Sequence, residues 1–325
     1  MTLPVTYADV ETAAEHIHGL AAWTPLLQCR SIDDRAGNSI VMKCENWQRT
    51  GSFKFRGASH AVARLNGSEK ARGVTTHSSG NHAQALALAA KLHGVPATIV
   101  MPRNASAVKR AATEGYGARI VECDATVAAR EAAAAAVVAE TGATLIHPYD
   151  HPHIVAGQGT AALEMLHDRP DLEAVFAPVG GGGLLSGTAL VALGFRSRFG
   201  REGSVAVFGC EPAQADDAFR SLQTGERVTE QTPQTIADGL RTTLGKLNFA
   251  LLAGLQVPIL RVSEDEIREA MQFVWERAKI LIEPSSAVAI APLLNRQTPL
   301  HGKKVGVILS GGNVDARSFI ASLQA

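Results

Sequence analysis

Four glycines in a row, Gly180 to Gly183, stand between the apolar run Ala174–Pro178 and a helix-forming stretch that opens at Leu184. Glycine has no Cβ, so successive backbone N–H groups can converge on one point without obstruction. A helix N-terminus placed there adds its free donors and the positive end of its dipole. Such a bend suits an anion, most simply a phosphate ester. An ordinary strand-to-helix turn needs one or two glycines, so four exceed the structural demand. No Gly-Lys-Ser/Thr follows, and Leu185 or Ser186 takes the place of the third glycine of a dinucleotide fingerprint. The anion therefore need not belong to a nucleotide.

The second chemical signal is Ser52-Phe-Lys-Phe-Arg-Gly-Ala58. A lysine held against apolar surface loses the solvation of its ammonium, so its pKa falls and its amine becomes a nucleophile. Alone, Lys54 between Phe53 and Phe55 reads as a surface side chain. A phosphate cradle in the same chain changes that reading. An imine-forming lysine together with a monophosphate site points to pyridoxal 5′-phosphate.

Two more segments follow predicted strands. In His77-Ser-Ser-Gly-Asn-His82, the residues Ser78, Ser79, Gly80 and Asn81 offer hydroxyl, backbone and amide donors. These suit an amino-acid carboxylate and a cofactor oxygen, and helix capping would account for only one of them. Leu309-Ser-Gly-Gly-Asn313 repeats the pattern after the last strand, where Ser310 could meet a ring nitrogen. The acidic stretch Glu211-Pro-Ala-Gln-Ala-Asp-Asp217 reads, taken alone, as a helix start whose carboxylates complement the dipole.

The elements that must position these residues alternate. Strands are predicted at Ser39–Cys44, Gly73–Thr76, Ala97–Met101, Arg119–Val121, Ala174–Pro178, Val205–Gly209 and Lys303–Leu309. Helices are predicted from Ser52 to Leu65 and over Asn81–Leu92, Ala107–Glu114, Ala125–Glu140, Gly157–Leu166, Gly183–Leu193, Glu264–Ala278 and Ser285–Leu294. This order implies an α/β fold with mostly parallel sheets covered by helices. A chain of 325 residues suggests two domains, at roughly 150 residues each. Thirty-one basic residues balance 31 acidic ones, which leaves no net field to attract nucleic acid or an anionic membrane surface. No apolar run approaches a membrane span, and the N-terminus has no leader pattern. The four cysteines, at 29, 44, 123 and 210, are too far apart for a C-x-x-C pair. A reducing cytoplasm is expected.

Taken together and in this order, S-F-K-x-R-G-A, S-S-G-N-H, G-G-G-G-L and S-G-G-N resemble the serine/threonine dehydratase and serine racemase family of fold-type II pyridoxal-phosphate enzymes, which includes 3-hydroxyaspartate dehydratases. The resemblance runs from about Tyr7 to Asp315. It implies two open, mostly parallel twisted sheets with helices on both faces. It also implies a large cofactor-binding domain (1–72 and 151–325) with a small mobile substrate domain inserted at 73–150. By the same resemblance Lys54 holds the cofactor and removes the α-proton. Phe53 lies against the ring, Asn81 meets the ring hydroxyl, Gly180, Gly181, Gly182 and Gly183 hold the phosphate, and Ser310 meets the pyridine nitrogen. Ser78, Ser79, Gly80, Asn81 and His82 are expected around the substrate, with Ser79 on the face opposite Lys54.

A serine at the ring nitrogen tolerates a neutral pyridine, a weaker electron sink than a pyridinium held by a carboxylate. In family terms that favours β-elimination from a β-hydroxy-α-amino acid such as L-serine, L-threonine or 3-hydroxyaspartate. Serine racemisation with side dehydratase activity, phenylserine dehydration and a catalytically silent ligand-binding homologue are the alternatives. Retention of Lys54 and the glycine bend speaks against the last. Arg130 matches a substrate-domain arginine and could reach a second carboxylate. Tyr149 stands where animal serine racemases have asparagine. Glu211, Ala215 through its carbonyl, and Asp217 match a divalent-cation site suited to Mg²⁺, Ca²⁺ or Mn²⁺. A homodimer is expected from the family, as is freedom from isoleucine feedback.

Overall fold

The computed structural model describes residues 3–78, 80–105, 107–199, 205–315, 317 and 319–321. Its strands are β1 (Leu26–Leu27), β2 (Ser39–Cys44), β3 (Val74–His77), β4 (Ala97–Pro102), β5 (Arg119–Cys123), β6 (Thr144–Leu145), β7 (Ala174–Pro178), β8 (Ala206–Pro212), β9 (Ile259–Val262) and β10 (Lys304–Leu309). They form a six-stranded sheet, β1-β2-β10-β7-β8-β9, and a four-stranded sheet, β5-β4-β3-β6. Every pairing is parallel except β1 with β2. The central strands β7 and β10 are buried almost end to end, as expected where helices cover both faces. Phe176 and Phe208 stack at 4.7 Å in the core of the larger sheet.

Several boundaries differ from the sequence reading. The helix expected at Gly157 begins at Pro152. Proline is preset for the first helical turn, and His151 caps it by accepting from the His153 amide at 3.2 Å. The helix expected over Ser285–Leu294 is two short ones, Pro284–Ala287 and Ala291–Leu294. Pro292 supplies no amide to continue a single hydrogen-bond ladder. The helices Tyr7–Ile17, Arg30–Ala36 and Lys246–Gly254 and the strands β1, β6 and β9 are additions to the sequence reading, whereas the helix Asp217–Thr224 starts where the acidic stretch places a helix start.

Glycines set how the helices meet. In Ala156-Gly-Gln-Gly-Thr160, a Cβ on Gly157 would lie 2.6 Å from the Cα of Gly57, and a Cβ on Gly187 would lie 2.7 Å from the Cα of Gly159. The helix Pro152–Asp168 is thereby clamped against both Lys54–Ala63 and Gly183–Arg198. Those two helices begin at the lysine and at the glycine bend. Their close packing brings two motifs 125 or more positions apart in the chain to one region.

An ion network locks the same helix. Arg56 donates to both oxygens of Glu45, at 2.7 and 2.8 Å, and to Glu164 at 2.6 and 2.8 Å. Lys43 joins Glu164 at 2.6 Å, and the side chains of Arg56, Glu45 and Lys43 are fully buried. Charges so buried persist only when every partner is satisfied. This fixes the backbone two residues beyond Lys54.

Candidate active site

The lysine segment is stitched to the end of the last strand. The amide of Phe53 donates to the Ser310 carbonyl at 3.0 Å, and that of Gly312 to the Gly51 carbonyl at 3.0 Å. Ser52 and Gly311 form an isolated antiparallel bridge. Lys54, the first residue of its helix, donates from Nζ to the Pro148 carbonyl at 2.9 Å, and its ammonium lies 5.1 Å from the centroid of the Phe53 ring. Burial lowers its pKa to about 8, against the opposing pull of the Glu283 charge. Ser310 is buried as a residue, and no hydrogen bond of its hydroxyl is seen among the described residues.

The glycine bend lies at the carboxyl end of β7. All four glycines are buried, and the amides of Gly180, Gly181 and Gly182 meet no protein acceptor among the described residues. Buried amides are almost always paired, so this row calls for an anion. Gly182 has a φ of +93°, and a Cβ there would lie 2.6 Å from Asn248 and Leu244. A Cβ on Gly181 would enter the Tyr149 ring, at 2.1 Å. The unpaired amides, the lone Ser310 hydroxyl and the buried Lys54 amine fit a phosphorylated pyridine aldehyde.

At the end of β3, Ser78 Oγ accepts from the Gly80 amide at 3.3 Å. Asn81 opens the helix Asn81–Leu92. Its Nδ2 donates to Glu283 at 2.9 and 3.1 Å, and its Oδ1 accepts from Asn313 Nδ2 at 2.9 Å. His82 Nε2 lies 3.3 Å from the Ile146 carbonyl, while its buried Nδ1 is unpartnered. Burial, and then the Lys54 charge, lower its pKa to about 3. Arg130 sits on the helix Val127–Thr141 with its Nε buried and unpartnered, and its charge is felt at His77. Ser79 lies outside the described residues.

Three further residues contribute here, and of these only Tyr149 stands out in the sequence. Glu283 precedes the proline that opens the helix Pro284–Ala287 and belongs to none of the sequence motifs. His147 accepts the amides of Tyr149 and Asp150 at Nδ1, at 3.4 and 2.9 Å. Tyr149 reaches Thr242 through its hydroxyl at 2.8 Å while its ring covers Gly181. A search for carboxylates beside the strand-end motifs would have flagged Glu283 only once β10 and its neighbours were placed.

The residues 17–311 match the model of the pyridoxal-phosphate-dependent enzymes. The chain belongs to that family. Its cofactor is pyridoxal phosphate, in keeping with the unpaired amides of the glycine bend. The chain is 46% identical to the L-threo-3-hydroxyaspartate ammonia-lyase of Saccharomyces cerevisiae over 97% of its own length and 95% of that protein's. It is 45% identical to the serine racemase of Dictyostelium discoideum, covering 97% of each chain. The crystal structure of that racemase superposes with a TM-score of 0.89 over 96% of this chain and 99% of the racemase.

Glu211, Ala215 and Asp217 lie apart from this cluster, at the end of β8 and the start of the helix Asp217–Thr224. The Glu211 carboxylate accepts the amides of Ala218 and Phe219 at 3.0 and 2.9 Å. Asp217 accepts from Gln231 and from the Leu244 amide, each at 2.6 Å. Burial and then mutual repulsion raise Glu211 well above the usual carboxylate range, and burial raises Asp217 to about 6. No lysine or arginine pairs with either among the described residues, and no group of three or more His, Cys, Asp or Glu side chains is poised around one ion there.

Proposed function

We propose that this chain is an ammonia-lyase that dehydrates and deaminates a β-hydroxy-α-amino acid to a 2-oxo acid, with 3-hydroxyaspartate its preferred substrate over L-serine and L-threonine. The observation that carries the reading is a row of buried glycine amides without a protein acceptor together with a buried Lys54 amine, its pKa lowered to about 8, on a segment bonded to Ser310. When bound, the cofactor supplies the sink for the electrons left at Cα. Lys54 would hold it, and the neutral Lys54 amine would be the base for the proton on Cα. The amides of Gly180–Gly183 bind the phosphate, Asn81 meets the ring hydroxyl, and Phe53 lies against the ring. Ser310 hydrogen-bonds the ring nitrogen without fixing a full charge on it. A serine rather than a carboxylate at that position would favour loss of the β-hydroxyl, which would leave as water with a proton from the cofactor phosphate or a nearby acid. Ser78, Gly80, Asn81 and His82 line the substrate carboxylate side, and Ser79 would serve the opposite face.

The preference for a diacid rests on Arg130. Its buried Nε lacks a partner, and a second carboxylate on the substrate would supply one. The yeast relative is named for 3-hydroxyaspartate. Residues 73–150 would close over the substrate as a unit and exclude water. We further assign a divalent cation to Glu211, Asp217 and the Ala215 carbonyl, since two buried carboxylates without a cationic side chain are costly. Oxygen ligation suits Mg²⁺, Ca²⁺ or Mn²⁺. Exposed Trp47, Trp275 and Leu281 support a homodimer, and four free cysteines support a cytoplasmic setting.

The test is 2-oxo-acid release from L-serine, L-threonine, the 3-hydroxyaspartate isomers and phenylserine, with and without EDTA, beside chiral analysis for D-serine. A 3-hydroxyaspartate isomer should give the highest kcat/KM. Faster formation of D-serine than of any 2-oxo acid would replace the lyase reading with a racemase.

A further inference from the structure

We propose that Glu283 is a positioning residue: its buried carboxylate fixes the amide of Asn81 so that one N–H remains aimed at the cofactor ring. The inference rests on the reading above that Asn81 meets that ring.

The geometry is specific. Glu283 is 3% exposed and sits just before the helix Pro284–Ala287, on the side of the molecule that carries the larger sheet. Asn81 opens a helix packed against the smaller sheet. Both Glu283 oxygens lie within 2.9–3.1 Å of a single nitrogen, Asn81 Nδ2. That nitrogen carries two hydrogens. The fork of the carboxylate takes one, shared between its oxygens, and leaves the other free.

Two further contacts fix which way the amide faces. Asn313 donates from Nδ2 to Asn81 Oδ1 at 2.9 Å, so Asn81 cannot exchange its oxygen and nitrogen without facing donor to donor. Asn313 is itself held, since its amide donates to Glu283 at 3.2 Å and its Nδ2 to the Thr50 carbonyl at 2.6 Å. A Cβ on Gly311 would lie 2.6 Å from Glu283 Oε1, so the glycine in Ser310-Gly-Gly-Asn313 makes room for this carboxylate. The charges around Glu283 are Asp238 and Lys109, which pair with each other at 2.6 Å, and Lys54. None of them is hydrogen-bonded to Glu283, and among the described residues its carboxylate is bonded only by the two asparagines.

An acid that serves packing alone could be replaced by its amide with little spectral effect. An acid that aims Asn81 cannot. In Glu283→Gln the new NH₂ competes with Asn81 Nδ2, and the Asn81 amide loses its unique orientation. The ring hydroxyl oxygen then loses a donor that favours its anionic form.

The experiment is a double-mutant cycle on the holoenzyme, with wild type, E283Q, N81A and E283Q/N81A. The readouts are the visible absorption maximum of the bound cofactor and its dissociation constant by equilibrium dialysis. E283Q should shift the band and weaken cofactor binding by about 3- to 10-fold, and should add less than about 2-fold in the N81A background. Equal effects in both backgrounds, or none in either, would overturn the proposal. N81A with wild-type spectrum and affinity would overturn the reading of Asn81 and this inference with it. A colourless wild-type protein would instead strike at the cofactor assignment. Should E283Q fail to fold, N313A removes the other clamp on the same amide and should shift the band in the same direction. An unshifted N313A band would then count against the proposal.

Discussion

The amide of Phe53 donates to the carbonyl of Ser310 at 3.0 Å, so the residue before the lysine is tied to the residue after the last strand. The two are 257 positions apart in the chain. This bond, with the Ser52–Gly311 bridge beside it, joins the two segments proposed to hold the cofactor at the lysine and at the ring nitrogen. Movement of either would displace the other.

Lys54→Ala should abolish 2-oxo-acid release and the visible band while leaving the fold intact. The pH dependence of cofactor loading tests the environment of Lys54. Burial disfavours its charged form, so the folded amine gives up its proton near pH 8, where a solvated lysine with a pKa of 10.5 stays charged. The loading rate of stripped enzyme, followed by stopped-flow absorbance, should therefore rise as pH climbs through about 8 and then level off. A flat profile from pH 6 to 10 would show that the amine is not perturbed.

Gly182→Ala places a Cβ 2.6 Å from Asn248 and Leu244 at a φ of +93°. Strain and overlap together should cost roughly 2–4 kcal/mol. Cofactor affinity should fall along with thermal stability, because the bend can relax only by moving its amides. Calorimetry and dialysis on the same preparation check both.

Arg56→Met should destabilise the protein by about 3–5 kcal/mol in urea unfolding, since it strands Glu45 as a buried charge without an ion-pair partner while Glu164 keeps only Lys43. Replacing all four members of the network with apolar residues should recover part of that loss. An unchanged unfolding midpoint in Arg56→Met would mean that solvent reaches the network.

Glu211 and Asp217 are raised by burial, so protonation favours the folded state over the unfolded one. Their stabilisation is present below the ordinary carboxylate range and is lost as pH rises through about 6, the value for Asp217. EDTA-treated protein should be less stable at pH 7.5 than at pH 5.5. Mg²⁺, Ca²⁺ or Mn²⁺ should raise Tm at pH 7.5 by about 3–6 °C. Asp217→Asn should flatten the pH dependence and remove the cation response.

Arg130→Ala should raise KM for 3-hydroxyaspartate by roughly 10- to 100-fold and leave L-serine nearly unchanged, the signature of a lost carboxylate contact. Steady-state kinetics on both substrates decide it. An equal loss on both would make Arg130 a structural residue.

The glycine bend, the lysine between two phenylalanines and the strand-end serines were legible because each depends on local backbone freedom or local polarity. The alternation of strands and helices likewise fixed the class of architecture, since burial on both faces leaves its mark on composition. The partnership of these motifs was not legible. Glu283 is one acid before a proline until β10 and the helix Asn81–Leu92 bring Asn313 and Asn81 to it. Arg56 looks like a surface arginine until Glu45 and Glu164 enclose it. A buried charge is permitted only by partners distant in the chain, and no local pattern records which ones arrive. The residue types and the bend chemistry came from the sequence; which carboxylate meets which amide, and how far each pKa moves, was decided by the packing of helices on the shared glycine contacts.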